Sequence, residues 1–270
     1  MKENSRFSRY ALIPVLALGL GLASCEEETV DPVDESGTFF GDSTDLGDGM
    51  ARSYVVLDAD GDATEVGIRI SEAAMTNLPT DTTVFHTYTL ALPDGADGTV
   101  IDHIMLDWNP IGHEPAGLFT TPHFDMHFFM MTEAEVMTIM PGADFQTKAE
   151  NFPDTAYIPQ GYATPPGSPI EAVPMMGVHW VDLSDPTYAG SGTPFTEVLI
   201  YGSWDGDLNF IEPMITRDWL MTKPTLTENL KLPAKYQQSG LFPTTYSVKF
   251  DTATSEYVIS LGGMTERTAS

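Results

Sequence analysis

Apolar and polar positions along this chain mostly alternate with a period of two, the spacing of strands that bury one face. Tyr54-Val55-Val56-Leu57 and Val66-Gly67-Ile68-Arg69-Ile70 flank Asp58-Ala59-Asp60-Gly61-Asp62 and predict a hairpin. Thr83 to Leu92, Asp102 to Trp108 and His123 to Met131 read as further strands. Glu197 to Tyr201 and Leu208 to Ile211 predict a second hairpin around Trp204-Asp205-Gly206, and Tyr246 to Phe250 with Tyr257 to Leu261 a third. Helical signals are short. Ser71 can cap a segment running to Asn77, Thr132 opens a capping sequence that runs to Met140, and Thr216 to Met221 can form one turn. Residues 141–176 are rich in Pro and Gly and predict a long ordered loop. The fold class is therefore mainly β: a single β-barrel or sandwich-like domain with a few short helices.

The N-terminus departs from this pattern. Lys2, Arg6 and Arg9 precede an apolar run from Ala11 to Leu22 that Pro14 interrupts, too short to span a bilayer comfortably. It ends in Leu22-Ala23-Ser24-Cys25, which resembles the bacterial lipobox. Residues 1–24 are then expected to be a lipoprotein signal peptide, with Cys25 the lipidated first residue of the mature chain and the membrane its partner. Glu26, Glu27 and Glu28 resemble the surface-export signal of some Gram-negative lipoproteins, and also suit a plain solvated tether. The expected location is the bacterial envelope, at the outer membrane or cell surface. Residues 25–48 carry nine carboxylates and no Lys or Arg and read as an acidic tether. Residues 49–222 read as the β-rich domain, and residues 223–270 as an extension completing it.

Charge narrows the function classes. The 270 residues hold 12 Lys and Arg against 39 Asp and Glu, a net charge of −27. Such a field repels a phosphate backbone, so no nucleic-acid partner is expected. A single Cys leaves no disulfide within the chain and no multi-Cys zinc site. The last 54 residues are close to neutral, which is either drift or the mark of a segment packed on the acidic remainder or on another subunit.

The chemistry concentrates in histidine. Gly112-His113-Glu114-Pro115 precedes Pro122-His123-Phe124-Asp125-Met126-His127-Phe128-Phe129, and His179 follows in Met176-Gly177-Val178-His179-Trp180. Imidazole and carboxylate together suit a divalent transition metal such as zinc. On a strand, His123, Asp125 and His127 share one side, with Phe124, Met126 and Phe128 opposite. Neighbours on that side are about 6.6 Å apart, so His123 and His127, about 13 Å apart, cannot share an ion without a bulge. A site would join His123 or His127, with Asp125, to His113, Glu114 and His179, with Glu212 more remote. The alternative is a buried polar network that holds the fold. Asp58 to Asp62 fits a hairpin turn better than a calcium loop, since its Gly falls two places early. Five methionines between Met126 and Met140 suit core filling better than copper(I). No nucleophile elbow, phosphate loop or dinucleotide fingerprint is present, so the catalytic residues, if any, are unknown.

The motif series Gly112-His113-Glu114-Pro115, Pro122-His123-Phe124-Asp125 with His127-Phe128, Met176-Gly177 with His179-Trp180, Tyr201-Gly202-Ser203-Trp204-Asp205-Gly206 and Glu212-Pro213-Met214-Ile215-Thr216 resembles a bacterial family of unknown function with a TTHB-type domain. The likeness covers roughly residues 50–222. It implies a secreted or lipoprotein, barrel-like β domain and a ring-forming homo-oligomer, and brings no established reaction. Phe129 stands where that pattern has Tyr. Two functions follow as expectations: a metal-binding domain, which would be catalytic with Glu114 as ligand or base, or a non-catalytic binding or assembly module with a structural His cluster. A small-molecule ligand held by the aromatic loop is a third.

Overall fold

The turn at Asp58 forms as its residues dictate. Asp58 Oδ1 accepts hydrogen bonds from the backbone N–H groups of Asp60 and Asp62, each at 3.0 Å, and Gly61 takes a φ of +82°. This joins β2 (Gly49–Leu57) to β3 (Ala63–Ser71). The computed structural model describes residues 36–115, 117–165, 170–188 and 192–270. The expected signal peptide, Cys25 and the first part of the tether lie outside these residues. No helix among the described residues is long and apolar enough to cross a membrane.

Two antiparallel sheets form the body. The first runs β1 (Gly37–Leu46), β2, β3, β14 (Glu256–Gly262), β13 (Thr245–Asp251) and β11 (Leu226–Asn229). The second runs β4 (His86–Ala91), β5 (His103–Asn109), β6 (His123–Phe129), β10 (Asp207–Thr216), β9 (Glu197–Trp204), β8 (Val178–Asp182) and β7 (Tyr162–Ala163). A small pair, β12 (Gly240–Phe242) and β15 (Thr265–Arg267), stands apart. Neither large sheet closes on itself, which corrects the barrel alternative; the arrangement is sandwich-like. Val55, Val66, Ile68 and Ile259 of the first sheet share one buried core with Ile104, Leu106, Phe124, Phe128 and Ile211 of the second.

Three expectations change. The tether expected over residues 25–48 ends by residue 37, because β1 pairs with β2 from Gly37 opposite Leu57 to Leu46 opposite Gly49. Its polar composition hid it: β1 is an edge strand, solvated along most of its length, and only Leu46 is fully buried. The helix expected from Ser71 is a single 3₁₀ turn over Glu72–Met75, because the Ser71 hydroxyl accepts from the Met50 N–H and caps nothing. Thr132 does cap, in a reciprocal box with Glu135, but the helix it opens, α1, spans only Glu133–Val136. Of the C-terminal segment, β11, β13 and β14 belong to the first sheet, with β14 beside β3 at its centre.

The central strands of the second sheet, β5, β6, β10 and β9, are buried on both faces. Over the sheet's outer face lies a layer of connecting segments. Phe119 and Phe195 pack there on Val181, Val198, Ile200 and Met214. Further along, Val136 and Met131 pack on Met105, Phe129 and Phe210, and Ile139 and Ala149 on Val178 and Trp204. Of the five methionines between Met126 and Met140, Met126 fills core and Met130 and Met131 pack against it, whereas Met137 and Met140 are exposed, which corrects the core-filling expectation for those two.

Candidate metal centre

Strand register decides which polar side chains meet beneath that layer. On β6, His123, Asp125, His127 and Phe129 face outward, while Phe124, Met126 and Phe128 enter the core between the sheets. β5 sets Asn109 opposite His123, Asp107 opposite Asp125 and Met105 opposite His127. On the other side, β10 sets Thr216 opposite His123, Met214 opposite Asp125 and Phe210 opposite Phe129, with Glu212 on the same face between Met214 and Phe210. Gly202 of β9 lies opposite Phe210, and His179 of β8 opposite Gly202. Gly202 is needed there: a Cβ would stand 2.1 Å from the Phe210 ring, which lies across it and meets His127 and His179 at 4.9 and 5.2 Å between ring centres.

Two groups of donors result. In the first, Asp125 lies between two imidazoles, with His123 Nε2 3.1 Å from Oδ1 and His113 Nε2 3.2 Å from Oδ2. Each imidazole is held from behind. His123 Nδ1 lies 2.6 Å from the Thr121 carbonyl oxygen and His113 Nδ1 2.6 Å from that of Glu114. A carbonyl only accepts, so both Nδ1 atoms carry hydrogen and donate, and both rings turn Nε2 toward Asp125. Asn109 Nδ2 donates to Asp125 Oδ2 at 2.8 Å and orients the carboxylate.

In the second group, Glu212 lies between His127 and His179, with His127 Nε2 3.3 Å from Oε1 and His179 Nε2 3.5 Å from Oε2. His127 Nδ1 lies 3.4 Å from Asp107 Oδ2, while Thr87 Oγ1 donates to Asp107 Oδ1. Within each group the three donor atoms lie within 4.8 Å of one another.

Burial and charge set the protonation of these groups. Burial alone would push His113 down, but its hydrogen bond to Asp125 and that carboxylate's charge prevail and hold it up at about 9. Asp125 is held far below the usual carboxylate range; burial opposes this, but the hydrogen bond from His113 and the His123 imidazole against its other oxygen outweigh it. His127, also opposed by burial, is raised to about 9 by Glu212 and Asp107. His179 goes the other way, to about 3, through burial and then the His127 cation. Burial also pushes Glu212 up: the His127 cation opposes it, but burial and Asp125 outweigh that pull. Proton, imidazole and carboxylate are thus crowded together out of water, the setting in which a divalent cation exchanges for protons.

Of the residues singled out from the sequence, His113, His123 and Asp125 come together, as do His127 and His179. His123 and His127 fall in different groups, as their spacing requires. Glu114 enters the first group only through its backbone carbonyl; its side chain is exposed and its carboxylate belongs to neither group. Glu212, read as remote, is central to the second group. Asp107 was missed. The signal was available, since Asp107 is a lone carboxylate among the apolar residues of a strand paired with β6.

A protein-family model described as TTHB210-like, hypothetical protein TTHB210, matches residues 58–108. The chain is similar to that family from the Asp58 turn through β3, β4 and most of β5. The match includes Asp107 and ends before His113, so the motif series from Gly112 onward lies outside it. No curated protein and no solved structure matches the chain.

Proposed function

We propose that this chain is a metal-binding domain with two ion sites, each built from two imidazoles and one carboxylate. The observation that carries this reading is the pairing at Asp125. Two rings with Nδ1 tied to backbone carbonyls both turn Nε2 onto one carboxylate, and among the described residues His123 Nε2 and Asp125 Oδ1 are buried with no hydrogen-bond partner. A metal-bound histidine characteristically donates its other ring N–H to a carbonyl or carboxylate. Donors about 2.1 Å from a tetrahedral ion stand about 3.4 Å apart; each Nε2 lies 3.1 to 3.5 Å from one oxygen of its carboxylate, and the three donors of each group lie within 4.8 Å of one another. In the second group the Asp107 carboxylate stands behind His127, with Oδ2 3.4 Å from Nδ1. Zinc suits this donor set, and three protein ligands leave a coordination position open for water or a ligand.

The lipobox-like Leu22 to Cys25 and the acidic residues after it support placing the domain at the bacterial envelope on an acyl anchor. Elemental analysis of the protein, purified without a histidine tag and loaded with zinc, tests the metal reading. Near two ions per chain are expected, with one lost in His123→Ala and the other in Glu212→Ala. No bound ion after loading, with the variants changed only in stability, would make the cluster a structural network and leave a binding or assembly module as the function.

A further inference from the structure

The Tyr188 hydroxyl is buried and has no hydrogen-bond partner among the described residues. A phenol in that position has lost its hydration with nothing in return, and in most proteins such a group has an acceptor. Its place is defined. The ring meets Phe119 edge-on at 6.0 Å, and Phe119 lies 5.8 Å from the His113 ring and 6.4 Å from His123. Tyr188 also packs on the cluster of Val181, Val198, Ile200 and Met214. Met214 stands opposite Asp125 and two residues from Glu212 on the same face, and Val181 is two residues from His179. Tyr188 therefore packs on the same outer face of the sheet that carries both groups. After burial, Glu212 is the strongest influence on its hydroxyl, ahead of its sequence neighbour Asp185.

We infer that Tyr188 is a ligand-facing hydrogen-bond donor, whose O–H addresses a small carboxylate bound through oxygen to the metal of the first group. The inference rests on the metal reading above. A neutral phenol serves an acceptor, and an oxyanion on a divalent ion is a strong one. The aromatic walls of Phe119 and Phe195, with Phe195 5.3 Å from His123, suit a ligand with an apolar body behind its oxygens. His113, with 40% of its side chain exposed, stands where such a ligand would enter.

Cobalt(II) substituted into the full chain gives a visible spectrum that reads the ligand position, and acetate is the probe. A saturable spectral change is expected in the native protein. Tyr188→Phe is expected to hold the same amount of cobalt and to bind acetate roughly tenfold more weakly. Without metal the variant should unfold at the same or a higher temperature, since it loses only an unpartnered hydroxyl. Equal acetate affinity in the two proteins overturns the assignment. So does a variant that is less stable without metal, which would give the hydroxyl to the fold. A native protein that binds cobalt and ignores acetate ends the role given to Tyr188 alone, whereas one that binds no cobalt ends the metal reading itself.

Discussion

The two donor groups use the same chemistry on different supports. In the second, every ligand rides on a strand: His127 on β6, His179 on β8 and Glu212 on β10, with side-chain exposures of 1%, 22% and 2%. In the first, His123 and Asp125 sit on β6 at 0% and 6%, but His113 comes from the segment between β5 and β6 and is 40% exposed. Sheet register places the second group before any ion arrives, and its charges are desolvated in the folded chain. The first group is completed by a loop whose backbone tie is the His113 N–H donating to the Phe119 carbonyl at 2.9 Å. A strand-borne site is the more rigid and commits the fold to its charges, while a loop-borne ligand leaves room for exchange.

The largest expected effect tests that commitment. Glu212→Ala leaves His127 facing Asp107 alone and removes the carboxylate beside His179. Breaking one partner of a buried charged cluster costs about 3–5 kcal/mol, read from chemical denaturation. One ion should be lost and the other kept; loss of both would show that the groups form a single centre. Gly202→Ala comes next. Its Cβ would enter the Phe210 ring, and overpacking of this kind costs about 1–3 kcal/mol. Phe210 touches His127 and His179, so zinc affinity measured by calorimetry should fall at the second site only. An equal fall at the first site would break the distinction between them.

Much of this was legible in the chain. The alternation across His123 to Phe128 gave the two faces of β6, and the spacing rule separated His123 from His127. Asp-Gly turns located the hairpins, because Asp205 and Gly206 both need positive φ, 50° and 97° here. What stayed hidden depended on partners distant in sequence. Glu212 read as remote because its distance from His127 along the chain says nothing of β10 lying beside β6. β1 read as tether because an edge strand needs little apolar content, and its pairing with β2 shows only in the register. Glu114 read as a ligand because proximity to His113 in sequence was all there was to judge by; the chain turns its carbonyl inward and leaves its side chain exposed.

Proton balance separates the metal-free and loaded forms. His113 and His127 are raised to about 9 from an ordinary 6.5. A raised histidine stabilises the fold fully below the unfolded value, and that contribution is lost as pH climbs through the folded value. The metal-free protein should therefore lose stability from about pH 6.5 to about pH 9. Zinc must displace those protons, so its affinity should rise across the same window, about tenfold per pH unit for each proton released. His179, held at about 3, adds no slope there. Thermal melts with and without zinc across this range read both trends, and parallel slopes would place the protons elsewhere.

The smallest expected effect on stability is at His113, and it sharpens the comparison most. Its pairing with Asp125 is open to water on one side, and exposed pairs contribute about 0–1 kcal/mol. His113→Ala should unfold within that margin of the native protein while still losing one ion, the same loss as Glu212→Ala at a fraction of the stability cost. Because the vacated position opens to solvent, added imidazole should enter it and restore the ion. Acetate should not rescue Glu212→Ala, whose missing carboxylate lay at 2% exposure behind the covering layer. A His113→Ala protein destabilised as strongly as Glu212→Ala would mean that the loop, like the strands, is committed to its charges without metal.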